Sequence, residues 1–187
     1  MKEYCLLFGQ EFKVPNAKLG WLPKILYRCA DQLAAMLTYS SCVMVIRFDL
    51  RMNGYSENNK AMTTFWRRFG KKLKRKYAAL KIGHLWVREQ SKAKQQHYHV
   101  IVIVDKNIIH YSGTVTDAVI EVWNGMTGGQ AHIPKNCYYV IKPNNWPLFE
   151  KVFKRVSYLA KVNTKGYRPA QTKDFGSSRL KKRLIKT

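Results

Sequence analysis

Acidic residues are scarce in this chain: eleven Asp and Glu stand against thirty-four Lys and Arg, a formal charge of +23. An imbalance of that size excludes an ordinary neutral surface. It points to a polyanionic partner, nucleic acid first and an anionic membrane surface second. Long apolar runs are missing too. No stretch approaches the ~18 uninterrupted apolar residues of a membrane span, so no span is expected and nucleic acid, not a membrane, is the partner expected. Residues 1–20 lack the charged start and apolar core of a signal peptide. The four cysteines, Cys5, Cys29, Cys42 and Cys137, form no Cys-x-x-Cys pair. That argues against a zinc ribbon or a disulfide framework and fits reduced thiols in a cytoplasm. There is no internal repeat, no low-complexity segment and no ATP-binding loop.

What is present suffices for one folded domain of 187 residues. Residues 1–40 read as an N-terminal lead-in (1–20) and a helix over about 23–38. Pro23 suits its first turn, and Ile25, Leu26, Cys29, Leu33 and Met36 recur at helical spacing. Residues 41–165 form the core of the domain. A strand is predicted at 42–50, ended by Asn53-Gly54. A helix follows, capped by Asn58 or Asn59, with Phe65, Phe69, Leu73, Tyr77 and Leu80 as its apolar stripe. Strands at 82–90 and 96–104 flank a short polar loop, Ser91–Gln95. A helix capped by Thr114 or Thr116 stops near Gly128-Gly129, a strand covers 131–141, and a last helix runs from Pro147 to about residue 163. Residues 166–187 are a basic tail, irregular apart from a short terminal helix. The β-α-β-β-α-β-α order predicts an α+β fold: an antiparallel sheet of four to five strands with helices packed on it, the first and third strands central.

The chemistry concentrates at His97-Tyr98-His99, which opens the apolar run Val100–Val104. Side chains alternate along a strand, so the two imidazoles share a face and can hold one divalent ion. A hairpin register pairing Glu89 with His97 brings a carboxylate to the same face. Such an N,N,O set suits Mn²⁺ or Mg²⁺ in phosphodiester chemistry, with Zn²⁺ an alternative. On the last helix, Phe149, Val152, Phe153, Val156 and Ala160 make the apolar stripe. Tyr158 points away from it toward Lys151, Lys154, Lys161 and Lys165. A phenol set among cations can meet a phosphate and act on it once activated. The bland alternatives are a satisfied histidine pair, a surface Glu89 paired with Arg88 or Lys92, and a partly exposed tyrosine.

His97-Tyr98-His99 on an apolar strand, followed some sixty residues later by Tyr158-x-x-Lys161, resembles the HUH endonucleases. These comprise rolling-circle replication initiators, relaxases and related transposases. Ser157-Tyr158-Leu159-Ala160-Lys161 and Asp174-Phe175-Gly176-Ser177-Ser178-Arg179 are similar to inovirus gene-two-like replication proteins of phages and prophages. The resemblance covers about residues 40–180. It implies that His97, His99 and Glu89 bind a metal that polarises the scissile phosphate of single-stranded DNA or an origin hairpin. It implies further that Tyr158 attacks to give a 5′-phosphotyrosine, and that Lys161, with Lys165 behind it, orients the phosphate. Arg47-Phe48-Asp49-Leu50 departs from the Thr-containing first motif of plasmid initiators. Tyr167 is a remote second nucleophile. A helicase would come from the bacterial host, in whose cytoplasm the protein would work. The expected phosphate contacts are Arg47, Lys71, Lys72, Lys74, Arg75 and Lys76, then Lys154, Lys165, Arg179, Lys181, Lys182 and Arg183.

A rival reading is a non-enzymatic nucleic-acid module with an RRM-like split βαβ fold, in which aromatics such as Trp66, Trp86 and Tyr98 stack bases on a bare sheet. A different His-x-His phosphoesterase ranks last, since Ile101 ends the alternation of histidines. His84, His110 and His132 read as structural or exposed.

Overall fold

The structure, a computed structural model, describes residues 4–15, 18, 20–90, 96–162, 165–166 and 168–183. The loop 91–95, Tyr167 and a terminal helix beyond 183 lie outside the described residues. In order, the elements are β1 (Tyr4–Leu7), β2 (Gln10–Lys13), α1 (Pro23–Leu37), β3 (Val43–Arg51) and α2 (Lys60–Lys76). Then come β4 (Ile82–Glu89), β5 (His97–Asp105), α3 (Ser112–Thr127), β6 (Gln130–His132), β7 (Tyr138–Ile141), α4 (Trp146–Ser157) and β8 (Phe175–Ser177). The main sheet is antiparallel and runs β6-β3-β5-β4-β8, with β7 also on β3. The class is α+β, with β3 and β5 central as expected, and the sheet has six strands.

Helices cover both faces. Residues 98, 100, 102 and 104 of β5 pack with Met44, Ile46 and Phe48 of β3 against Phe65 and Phe69 of α2 and Trp123 of α3. Ile101 and Ile103 of β5 pack with Val43, Val45, Leu85 and Val87 against α1 and α4. A strand buried on both sides must be apolar at every position, and Val100–Val104 is. The bare aromatic sheet that an RRM-like module needs is therefore not what these residues form. Tyr98 is fully buried, Trp86 nearly so, and Trp66 is stacked on His84 with ring centroids 3.7 Å apart.

Five expectations are corrected. The lead-in contains a hairpin, β1 paired with β2, turning at Phe8 (φ 54°) and Gly9 (φ 76°). Two positive φ values fit the tight turn that matches strand twist. Its buried side, Cys5, Leu7 and Phe12, joins the α1/α4 core. The strand expected at 131–141 is two strands, both laid along β3. Pro134 lies between them, Asn136 has φ 52°, and Arg47 N donates to Cys137 O at 2.7 Å. Neither Thr114 nor Thr116 caps α3; both lie inside its first turns, and Thr116 Oγ1 donates back to Gly113 O. The helix does end at Gly128 (φ 62°), as read. Gly129 beside it lies so close to Arg51 O that a Cβ would be 2.1 Å away. The last helix stops at Ser157 rather than 163, giving way to one 3₁₀ turn, Tyr158–Ala160. The tail is not wholly irregular, because Phe175–Ser177 forms β8 on the edge of β4.

Candidate metal centre

The register pairs Glu89 with His97 and Asp49 with His99. All four therefore stand on the α1/α4 face of the sheet, beyond the apolar row that ends at Ile101 and Val87. α4 terminates over this end and leaves it open on one side.

Glu89 Oε2 is 3.2 Å from His99 Nε2 and 3.9 Å from His97 Nε2. The three ligand atoms lie within 4.8 Å of one another. Separations of this size are those of ligands sharing one ion at bonds of ~2.0–2.2 Å, so the donor set fits a divalent cation. Glu89 and His99 are buried and His97 is partly exposed, which leaves a way in. On its other edge His99 presents Nδ1 to Asp49 Oδ1 at 2.6 Å. An ionised carboxylate only accepts, so Nδ1 carries the proton and Nε2 is turned toward Glu89. A carboxylate behind a ligating imidazole fixes its ring and tautomer.

The electrostatics follow from this layout. Burial opposes charge on Glu89, but the hydrogen bond and charge of His99, then Lys165, outweigh it and hold the carboxyl at about 2. Burial likewise favours neutral His99, yet Asp49 and Glu89 outweigh that and raise its pKa. Burial resists ionisation of Asp49 as well, and His99 and Arg47 overcome it, leaving its pKa lowered. A second proton on His99, at Nε2, would occupy the nitrogen that faces Glu89, so proton and cation compete for the same atom.

Tyr158 stands beside this group. Its ring centroid is 6.2 Å from that of His99, and the residue is 48% exposed. Tyr158 is the C-cap of α4, with helical angles (φ −59°, ψ −35°), and the first residue of the 3₁₀ turn, so the helix ends with this ring beside His99. Lys161 Nζ lies 3.6 Å from the Tyr158 ring centroid, and the Arg47 guanidinium 5.9 Å. The turn is held from outside: Leu22 N donates to Ala160 O at 2.8 Å, and Trp21 bridges to Lys161.

The other expected residues fall in different places. Arg47 is part of the site, bound to Asp49 at 3.4 Å, with its Nε left without a partner among the described residues. Lys165, read as a phosphate contact, is buried and holds Glu89 Oε1 at 3.0 Å while donating to Lys161 O. Lys71, Lys74, Arg75 and Lys76 are exposed on α2, on the opposite side of the sheet, and Lys72 there pairs with Glu121. Lys154 pairs with Glu150. Arg179, Lys181, Lys182 and Arg183 are exposed along a segment pinned to α1 by Tyr39 and Thr38. Asp49 was missed as a site residue. His132, read as structural or exposed, is exposed but pairs with Asp49 across β6, on the face that carries His99.

No helix among the described residues is long and apolar enough to cross a membrane. The chain resembles the protein described as "Uncharacterized protein YagK" from Escherichia coli strain K12, with 23% identity over 112 residues. That match covers 51% of this chain and 53% of YagK, so the chain spans about half the length of its curated relative. No solved structure matches it. A family model described as the YagK/YfjJ C-terminal domain matches residues 10–178, from β2 to just past β8 and through every residue of the metal centre. The chain belongs to the YagK/YfjJ C-terminal domain family.

Proposed function

We propose that this protein is a metal-dependent single-stranded DNA endonuclease and strand transferase of the HUH kind, serving initiation of rolling-circle replication in a bacterial cytoplasm. The observation that carries the reading is the meeting of two sets far apart in sequence: the Glu89-His97-His99 group and Tyr158, whose ring stands 6.2 Å from His99. A metal site alone would serve many chemistries. A half-exposed phenol at its mouth, backed by Lys161 and Arg47, narrows them to attack on an anionic ester.

A divalent ion, Mn²⁺ or Mg²⁺ by its oxygen and imidazole donors, would polarise the scissile phosphate. Glu89, His97 and His99 would hold it, with Asp49 orienting His99. Lys161 and Arg47 hold the phosphate against Tyr158. The Tyr158 oxygen attacks phosphorus and its proton passes to water. The bond from phosphorus to the 3′-oxygen breaks, and that oxygen takes up a proton to become a free 3′-hydroxyl. The 5′ side stays as a phosphotyrosine. One phosphodiester replaces another, so the step reverses to rejoin strands. The substrate is single-stranded DNA or an origin hairpin, unwound by a helicase of the host.

The test is a labelled single-stranded oligonucleotide incubated with Mn²⁺. A covalent adduct should survive denaturation and disappear in Tyr158→Phe and in His99→Ala. Tight binding without adduct over many origin sequences, or an adduct that persists in Tyr158→Phe, overturns the reading.

A further inference from the structure

A cleft of about 940 Å³ lies outside the candidate metal centre, between α1 and the edge strand β8. Ligand pockets span roughly 300–1,000 Å³, so this one is roomy for a small molecule. Its walls carry five cations, Lys24, Arg28, Arg168, Lys173 and Arg179, against two carboxylates, Asp31 and Asp174. Lys24 and Arg28 come from the exposed side of α1, Lys173 and Arg179 from the two ends of the β8 segment. No ion pair among the described residues neutralises any of these four, unlike Arg168 nearby, which is bound to Asp174 at 2.6 Å. Tyr27 lies between Lys24 and Arg28 and is 44% exposed. Unneutralised cations interleaved with an exposed ring are what a single strand needs: charge for its phosphates and a flat surface for a base.

One end of the cleft is tied to the turn that carries Tyr158. Its Leu22 is the residue whose N–H donates to Ala160 O, directly behind Tyr158. Its Asp174 receives the Gly166 N–H, next in the chain to the Lys165 that grips Glu89. At the other end Arg179 leads into Lys181, Lys182 and Arg183, held along α1 by Leu180 N to Gln32, Tyr39 to Lys181 O and Arg183 N to Thr38. Basic groups thus run from the tyrosine turn to the far end of α1.

We infer that the α1/β8 cleft is a track for single-stranded DNA, in which Lys24, Arg28, Lys173 and Arg179 hold successive phosphates and Tyr27 stacks a base, delivering the strand to Tyr158. The inference rests on the nuclease reading and gives its substrate a path. The basic face of α2, the more conspicuous charge run in the sequence, is on the opposite side of the sheet from this cleft.

The experiment measures binding of a fluorescent single-stranded oligonucleotide by anisotropy, in EDTA, across a salt series. The cleft variant is Lys24→Ala/Arg28→Ala/Arg179→Ala. The control, Lys71→Ala/Lys74→Ala/Arg75→Ala on α2, removes the same charge. Each lost contact with a single strand lowers the salt slope by about 0.7, so the cleft variant should lose about 2 in slope while the control keeps the parent value. Tyr27→Ala should weaken binding roughly tenfold, a typical stacking loss. Thermal melts check that each variant is folded. Equal losses in both triple variants, or a loss confined to the α2 variant, overturn the track and leave the nuclease reading standing if the Tyr158 adduct still forms. A parent protein that binds no single-stranded DNA ends both. A cleft variant that loses binding to anionic vesicles but not to DNA overturns the track in favour of a lipid surface.

Discussion

Replacing Asp49 by Asn should weaken metal binding while leaving all three ligands in place. The Asp49–His99 bond is 2.6 Å long and both side chains are largely sequestered from water, 16% and 9% exposed. Short charge-assisted bonds at such depth are about twice as strong as neutral ones. A carboxylate behind a ligating imidazole fixes the tautomer that offers Nε2 and makes the ring a better donor. Removing such a partner typically costs ~10–100-fold in affinity, or about 1.4–2.8 kcal/mol. The Asn oxygen can still accept from Nδ1, so Asp49→Asn tests charge, and Asp49→Ala, which removes orientation as well, should lose more. Arg47 would also lose its partner, 3.4 Å away, so some loss of thermal stability is expected in both. Mn²⁺ binding can be followed by the electron-paramagnetic signal of the free ion at pH 8, where protons compete least for imidazole. Glu89→Gln and His99→Ala set the scale of a lost ligand. Asp49→Asn and Asp49→Ala that both bind Mn²⁺ within twofold of the parent would refute the role given to Asp49.

His84, stacked on Trp66, is held neutral by burial with its pKa lowered to about 4. Because the folded value lies below the ordinary ~6.5, its contribution is fully present above pH 6.5 and is lost as pH falls through 4. The change is at most about 3 kcal/mol, read as the difference in urea midpoint between parent and His84→Gln across that range. A parallel pH profile in the variant would contradict this. At Gly176 an added Cβ would sit 2.6 Å from Trp86 Cζ2. Gly176→Ala should therefore cost about 1–3 kcal/mol by overpacking, and an unchanged urea midpoint would show that β8 does not pack this way. Lys165→Met removes the buried cation from Glu89, 3.0 Å away. With Glu89 left less compensated, added Mn²⁺ should raise the melting temperature more in the variant than in the parent, and an equal rise would count against the ion pair.

The half of the site carried by one hairpin was readable from the sequence. His97 and His99 share a face by strand period, and a short loop brings β4 back in register, so Glu89 opposite His97 followed from local rules. Asp49 is different. It reaches His99 through the β3–β5 pairing, fifty residues apart and without a connecting turn to set the register. Its partner could not be counted off. Tyr158 was readable as an outlier from its stripe, but its approach to His99 depends on a 3₁₀ turn held by the chain before α1, which no local pattern announces. The β1–β2 hairpin was hidden because its exposed side is also apolar: Tyr4, Leu6 and Phe8 blur the alternation of Cys5 and Leu7. β8 is three residues long, and the close fit of Gly176 under Trp86 is a tertiary matter.

That β8 is the outermost strand and among the last parts of the described chain bears on how the protein is born. Synthesis proceeds at about 5–20 residues per second. Some 3–12 seconds therefore separate the emergence of His99 from that of Tyr158, and β8 with its basic flank follows later still. During that interval the nascent chain owns a cluster able to capture a cation, yet neither the phenol nor the lysine that grips Glu89. Emergence is thus ordered in time: α1 with Lys24, Tyr27 and Arg28 comes first, the Glu89-His97-His99 group next, Tyr158 after it, and the β8 side of the cleft last. A nascent chain stalled before residue 158 carries the Glu89-His97-His99 group without the tyrosine that the proposed nicking step needs.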